Sequence, residues 1–372
     1  MSICVSRPAS LQQLQRRFDR LRQLQNRLCL PAAGHIDVCG RRYCLPLSAE
    51  HARPCKQVPP RVLNYLAGFF DGDGCVTVCR SSIRLQVSQT ESNGAVLFLF
   101  RNIFGGSITR EHHARGLRRP SVQWFVTGGT CRQASALLST GTSCKRSQLA
   151  IASLWPQERS LRAEAAGRLK LLKQQAHEEA SCPSWQYLAG FFDAEGCITV
   201  GPRVCVRLAI KQKFPPVLHA IQSFLAHNGI GCEVYETHGE LVVSVTEASK
   251  RLLAKLLRSG LRVKREAARL ALQTCSGNLV KVRSDLHEMV GNQGRYRRLS
   301  TDGLDRGNEI RRIQDRLRYR YLKGKHHSQL ESQLLVLQED HKLKCAQERL
   351  LQIRFDIRSF ISQGATQLVF AK

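Results

Sequence analysis

Two stretches of this chain are nearly the same. Residues 65–78 read YLAGFFDGDGCVTV, and residues 187–200 read YLAGFFDAEGCITV. The offset is constant at 122 residues (187 − 65), and only three positions differ: Gly72 against Ala194, Asp73 against Glu195 and Val76 against Ile198. A repeat this dense, in a chain without low complexity, points to duplication of a whole folding unit. A length of 372 residues accommodates two units of ordinary size with surplus at the ends.

Each copy begins as a helix. Leu63, Leu66, Phe69 and Phe70 fall at helical spacing, as do Trp185, Leu188, Phe191 and Phe192. Ala67, Gly68, Ala189 and Gly190 are small, and a glycine inside a helix costs roughly 1 kcal/mol. Close approach of two helix backbones is the return that small residues offer. Gly74 and Gly196 are expected as left-handed C-caps. The acids just before them, Asp73 and Glu195, oppose the macrodipole at a helix C-terminus. Helices packed side by side would also bring these two acids together, which is unfavourable unless a cation stands between them. A divalent metal with oxygen ligands answers that description.

The doubled segment resembles the signature of the LAGLIDADG homing endonucleases in their double-motif, single-chain form. The resemblance implies an α+β fold of two tandem, pseudo-symmetric αββαββα domains with saddle-shaped antiparallel sheets that bind DNA. It implies a monomer with internal two-fold pseudo-symmetry. The activity it implies is site-specific double-strand DNA cleavage of the intron-homing type, by metal-dependent hydrolysis across the minor groove. In that family the second acid of each motif is a metal ligand, which falls on Asp73 and Glu195. Mg²⁺ suits such a site, since it takes few carboxylates and keeps its waters. The resemblance also implies a basic residue and a polar residue around each acid. Lys145 and Lys264 open the last helix of their halves, 119 residues apart (264 − 145). Gln89 and Gln212 end matching strands, 123 apart (212 − 89), and resemble the family's water-positioning glutamines. Asp71 and Asp193 are also acidic and close, and helix-end hydrogen bonding is the reading favoured for them. The chain departs from some members after the glutamines, where Asn93 and Pro215-Pro216 replace a basic residue. A maturase or intron-RNA splicing factor on the same fold is the alternative, with a non-catalytic sequence-specific binder third. Paired acids, lysines and glutamines in both halves favour the nuclease.

The rest of the repeat is readable by pattern. Ile83, Leu85 and Val87 alternate with Arg84, Gln86 and Ser88, and Val204, Val206, Leu208 and Ile210 alternate with Arg203, Arg207 and Lys211. These half-buried strands leave a basic face suited to a DNA groove, with Arg80, Arg84, Gln86, Arg203, Arg207 and Lys211 as candidate DNA contacts. Core helices are expected at 95–104 and 217–225. Two further strands per half are expected at 107–111 and 122–127, then at 232–237 and 241–246. Closing helices are expected at 131–138 and 146–154, then at 248–257 and 265–272. The domain expectation is a basic N-terminal extension or transit segment at 1–57 and a first domain at 58–159. A helical linker follows at 160–181, a second domain at 182–275 and a basic, largely helical extension at 276–372. Within that extension the RYRR run at 295–298 reads as a basic loop, and 308–361 as one long amphipathic helix.

The net charge of +28 calls for a polyanionic partner, and no apolar run of about 18 residues supports a membrane span. No phosphate-binding glycine loop or nucleophile elbow stands out. Arg outnumbers Lys, a choice that phosphate geometry favours and that a GC-rich gene also produces. The N-terminal stripe Leu11, Leu14, Phe18, Leu21, Leu24, Leu28 on an Arg- and Gln-rich helix suits an organelle transit segment, of chloroplast or mitochondrion with the nucleus as the other compartment, and equally a basic helix lying on DNA or on the domain surface. Fifteen cysteines are an odd number at low density, which suits reduced thiols. Cys39, Cys44, His51 and Cys55 are zinc-type residues at a spacing that matches no strong pattern, so a solvated extension is the better reading.

Overall fold

The computed structural model describes residues 10–31, 34–38, 40–49, 57–112, 115–142, 144–175, 180–182, 184–201, 204–289, 292–322 and 328–367. In chain order it begins with α1 (Leu11–Gln25), β1 (Leu28–Cys29) and the hairpin β2 (His35–Val38) and β3 (Arg41–Cys44). The first half follows as α2 (Pro60–Asp73), β4 (Gly74–Cys79), β5 (Ser82–Thr90), α3 (Ala95–Phe104), β6 (Ser107–His112), β7 (Ser121–Thr127), α4 (Gly128–Ser139) and α5 (Arg146–Ser153). After α6 (Arg159–Leu172) the second half repeats the order. It comprises α7 (Trp185–Glu195), β8 (Gly196–Val200), β9 (Val206–Lys211), α8 (Pro216–His227), β10 (Glu233–Tyr235), β11 (Glu240–Val243), α9 (Thr246–Arg258) and α10 (Arg265–Leu272). The chain ends with α11 (Leu279–Met289), α12 (Thr301–Leu322), α13 (Ser328–Ser362) and β12 (Thr366–Gln367).

These elements form two units. The larger draws on 33–112 and 121–290 and holds both halves of the repeat. Its sheets are antiparallel with matching strand orders, β4-β5-β7-β6 and β8-β9-β11-β10. The α+β arrangement is the one expected from the repeat. Alternation sets the sheet faces: Ile83, Leu85 and Val87 are buried under the first sheet, and Val206, Leu208 and Ile210 under the second. The core is aromatic at its centre, with Phe69, Phe70, Phe100, Trp124, Phe191 and Phe192 fully buried. Burying each such side chain contributes roughly 1.5–3 kcal/mol. Trp124 Nε1–H, within that core, donates to Gly105 O at 2.8 Å. Two pieces that lacked a repeat partner also feed this core. Ile36 and Leu45 enter it from the β2–β3 region, in the stretch read as N-terminal extension, and Val282 and Leu286 enter it from α11.

Helices α2 and α7 pack against each other along their small residues. A Cβ built on Gly68 would lie 2.0 Å from Tyr187 O, and one on Gly190 would lie 1.9 Å from Tyr65 O. The two backbones therefore meet where only glycine fits. Gly74 and Gly196 correct the sequence expectation: both have φ −73° and ψ 151°, extended and not left-handed. Each already belongs to the strand that follows. Space is the reason for glycine here, because a Cβ would sit 2.4 Å from the Phe70 ring or 2.5 Å from the Phe192 ring.

The smaller unit draws on 1–32, 113–120 and 291–372. Its core joins Leu14 and Phe18 of α1 to Tyr296 and to Ala346, Leu350, Ile353 and Ile357 of α13. A capping box starts α1: Gln13 N donates to Ser10 Oγ at 3.3 Å, and Ser10 N donates to Gln13 Oε1 at 3.2 Å. The expected basic loop is a short 3-10 helix at Asn292–Arg297. Tyr296 from it is buried and donates to Asp356 Oδ2 at 2.8 Å. Arg295 holds the same carboxylate through two bonds of 2.8 Å. Burial and that carboxylate push the Tyr296 phenol up. The stretch expected as long amphipathic helix at 308–361 is helical in its described residues, as α12 and α13.

Candidate active site

The C-termini of α2 and α7 carry the two acids and end against each other. Gly72 and Ala194 are in contact there, and the side chain of Glu195 lies against Gly72. Gln89 Nε2 donates to Asp73 Oδ2 at 2.5 Å, and Gln212 Nε2 donates to Glu195 Oε1 at 2.8 Å. Register explains the pairing: the end of β5 and the residue following β9 return beside the helix ends that lead into β4 and β8. Asp73 is exposed and Glu195 half-buried, yet the protein packed around each displaces water and raises both pKa values. The charge of Asp73 raises Glu195 further. Lys145 and Lys264 act in the opposite direction on both acids.

Those lysines sit on the helix ends themselves. Lys145 Nζ donates to the carbonyls of Phe70, Asp71 and Gly72 at 2.8, 2.6 and 2.9 Å. Lys264 Nζ donates to Asp193 O, and to Ala194 O at 3.3 Å. A cation on the final carbonyls is the favourable partner for a helix C-terminus. Part of the positive charge demanded by two facing acids is thus supplied by the protein. Burial lowers the pKa of both lysines, against the pull of the surrounding acids.

Asp71 and Asp193 are buried and fully engaged. Asp71 accepts from the backbone N–H of Cys144 and Lys145 at 3.1 and 2.9 Å. Asp193 accepts from those of Arg262 and Lys264 at 2.6 and 2.7 Å. Across the pseudo-two-fold, Tyr187 OH donates to Asp71 and Tyr65 OH donates to Asp193, each at 2.7 Å. Sequence reasoning missed these tyrosines as site residues. The available signal was that each opens its copy of the motif, with no apolar replacement in either. Burial and the partner carboxylate hold both phenols well above their ordinary pKa, so they remain donors.

The open sheet faces carry the remaining candidates. Arg84 stacks its guanidinium 3.9 Å from the centre of the Phe125 ring and donates to Gln123. Gln123 in turn donates to Ser88 at 3.1 Å and Glu111 at 3.0 Å. Gln86 lies on this face opposite Phe125, and Arg80 stands at the β4–β5 turn with φ 57°. On the second sheet Arg207 and Lys211 flank Glu240 at 3.6 and 3.8 Å. Arg203 lies outside the described residues, as do Cys39, His51 and Cys55, while Cys44 is exposed. Every described cysteine is a free thiol. Among the described residues no three His, Cys, Asp or Glu side chains converge as a metal cage. A pair of carboxylates completed by water and substrate phosphate is nevertheless a donor set that Mg²⁺ accepts.

Residues 184–263, covering α7 through α9, match the family model described as a LAGLIDADG-like domain. The chain carries a LAGLIDADG-like domain. Its first half repeats the LAGLIDADG motif and the order of elements. Solved structures with some likeness include the LAGLIDADG meganuclease I-AabMI bound to uncleaved DNA, at 15% identity and TM-score 0.43, covering 61% of this chain and 97% of that one. I-SmaMI bound to an uncleaved DNA target with calcium ions is 12% identical at TM-score 0.46, covering 64% and 99%. I-GzeII in complex with its DNA target is 11% identical at TM-score 0.44, covering 62% and 98%. With scores below 0.5, the assignment rests on the matched domain and the internal repeat. No curated protein gives a significant sequence match.

Proposed function

We propose that this chain is a site-specific, double-strand DNA endonuclease of the homing type, dependent on a divalent metal. The observation that carries the reading is the pair Asp73 and Glu195, each on a helix end, each bonded by a strand-end glutamine and each beside a half-buried lysine. A pure binding protein has no physical need to hold two carboxylates where phosphate must approach. The net charge of +28 and the basic sheet faces supply the partner's complement.

Asp73 and Glu195 would hold the metal, Mg²⁺ by its liking for few carboxylates and several waters. When bound, that ion supplies charge neutralisation at the phosphate and lowers the pKa of a water. The chain's own groups do the rest. Gln89 and Gln212 fix the carboxylate rotamers and present amide groups for orienting water. Lys145 and Lys264 keep positive charge beside the developing phosphorane oxygens, where preorganised charge is most effective. Asp71, Asp193, Tyr65 and Tyr187 hold the lysine-bearing segments and the two helices in register.

Selection of cleaved molecules from a randomised duplex library in Mg²⁺ tests the function. The expected product is one enriched site cut on both strands, and a library left uncut would overturn the reading. The same selection tests base readout. Arg207→Ala removes an exposed side chain of the open face and should relax preference at a few adjacent base pairs, by about 1–3 kcal/mol for a bidentate contact. Uniform weakening across all sequences would assign Arg207 to phosphate instead.

A further inference from the structure

The smaller, helical unit is the more basic part of the chain. The stretches that compose it hold 26 Lys and Arg against 10 Asp and Glu, a net of +16 out of +28. Among the described residues, three of its ten acids are held by basic neighbours within the unit. Asp356 is buried under Arg295 and Tyr296, Glu348 holds Arg306 at 2.9 Å, and Asp340 holds Lys344 at 2.8 Å. By contrast, α1 exposes Arg16, Arg17, Arg20 and Arg22 around a single acid, Asp19.

One part of this surface concentrates arginine by construction. Three segments distant in sequence are tied together there: the end of α1, the loop at 115–120 and the 3-10 helix at 292–297. Gly116 N donates to Leu28 O at 2.9 Å, Arg115 Nε donates to Asn26 O at 3.0 Å, and Leu117 packs on the core around Tyr296. Arg27, Arg118 and Arg297 are exposed on these segments, and Arg119 and Arg298 half-exposed. Arg119 and Arg295 lie near enough to Arg298 to lower its pKa, in addition to burial. Gathering like charges costs free energy, and a polyanion offsets it by releasing counterions when phosphates replace them. Guanidinium is also the group whose planar donors match phosphate oxygens two at a time. The loop is the covalent continuation of a sheet hairpin, leaving β6 at His112 and entering β7 at Ser121.

We propose that the helical unit is a second DNA-binding surface, in which Arg27, Arg118, Arg119, Arg297 and Arg298 grip the phosphate backbone of duplex DNA. This rests on the DNA-endonuclease reading above. The contact is independent of base sequence, so it strengthens binding to long duplexes without altering which site is cut. It also places a use on the extension that the paired-sheet architecture leaves unexplained.

The test compares full-length wild type with R118Q/R119Q/R297Q/R298Q on the selected target, as a duplex with long flanks and as one trimmed to the cleaved site. Four lost phosphate contacts make the log–log salt slope shallower by about 3.6 on the long duplex, and affinity at physiological salt falls about 100-fold. Single-turnover cleavage at saturating protein stays at the wild-type rate, since none of these residues belongs to the Asp73–Glu195 site. The all-lysine counterpart, R118K/R119K/R297K/R298K, keeps most of the slope, and a thermal melt confirms that both variants fold. An unchanged slope and affinity on the long duplex, in a wild type that binds and cuts, would overturn the proposal alone. Loss of affinity confined to an RNA of equal length would overturn it too, in favour of an RNA surface. A wild type that neither binds nor cuts the duplex sinks the endonuclease reading itself and is recognisable before any variant is measured.

Discussion

Asp73→Asn combined with Glu195→Gln reduces DNA cleavage by about a thousandfold or more and leaves DNA binding intact or tighter. The first part follows from the proposed role of the two acids: without both charged groups the metal-borne stabilisation of the transition state, several kcal/mol at each strand, would be lost. Electrostatics fixes the second, because two carboxylates that repel each other and the incoming phosphate become neutral. Stability follows the same sign. Burial raises the pKa of each acid above its unfolded value, so each folded carboxyl holds its proton more tightly than the unfolded one. Its ionised form at neutral pH therefore costs stability, a cost that sets in as pH rises from the unfolded to the folded pKa and is constant above it. The amides carry no such cost, so the melting temperature should match the wild type or exceed it. Gln89 and Gln212 can each turn their amide to meet the new amide, preserving the local bonds. Each single variant isolates one strand's chemistry, with nicked plasmid as its signature if the two centres act separately. On a supercoiled plasmid bearing the selected site, full linearisation by the double variant at wild-type rate would remove Asp73 and Glu195 from the catalytic centre.

The sequence disclosed what periodicity and duplication can carry. Both helices of the repeat, the alternating strands β5 and β9, and the helices beside them follow from spacing alone, because one buried face dictates each pattern. The equivalence of Lys145 with Lys264, and of Gln89 with Gln212, followed from near-constant offsets, and the structure brings each pair to the two acids. What stayed hidden depends on contacts between segments far apart in the chain. The Tyr65–Asp193 and Tyr187–Asp71 bonds span 128 and 116 residues, and no local pattern signals them. The β2–β3 hairpin and α11 occur once, so the duplication gave no second copy to expose them. Glu240 shows another limit. It looks like any polar strand residue in sequence, yet it stands between Arg207 and Lys211 and moderates the charge of that sheet. The extended conformation of Gly74 and Gly196 likewise follows from the strand each begins, where the cap rule weighed only the helix.

Gly68→Ala, or Gly190→Ala, destabilises the larger unit by about 3 kcal/mol, the upper end of ordinary overpacking. The obstacle is backbone, which cannot turn away as a side chain can. The new methyl on residue 68 would meet Tyr187 O at 2.0 Å, Tyr187 C at 2.8 Å and Phe191 N at 3.0 Å. The methyl on residue 190 would meet Tyr65 O at 1.9 Å and Phe69 N at 2.8 Å. Relief requires α2 and α7 to separate, and separation stretches the two tyrosine–aspartate bonds that cross between them. Since Asp73 and Glu195 sit at the ends of the same helices, cleavage should fall even in the fraction that remains folded. The combined variant should lose less than the sum of the two, because one separation relieves both clashes. Gly167→Ala is the control: that glycine lies within α6 with no atom within 4 Å of a built Cβ, so the change should stabilise by about 0.5–1 kcal/mol. Denaturant unfolding measures all four proteins. A Gly68→Ala midpoint within 1 kcal/mol of wild type would mean that the helix pair can yield without cost, and that close backbone approach is not what glycine secures there.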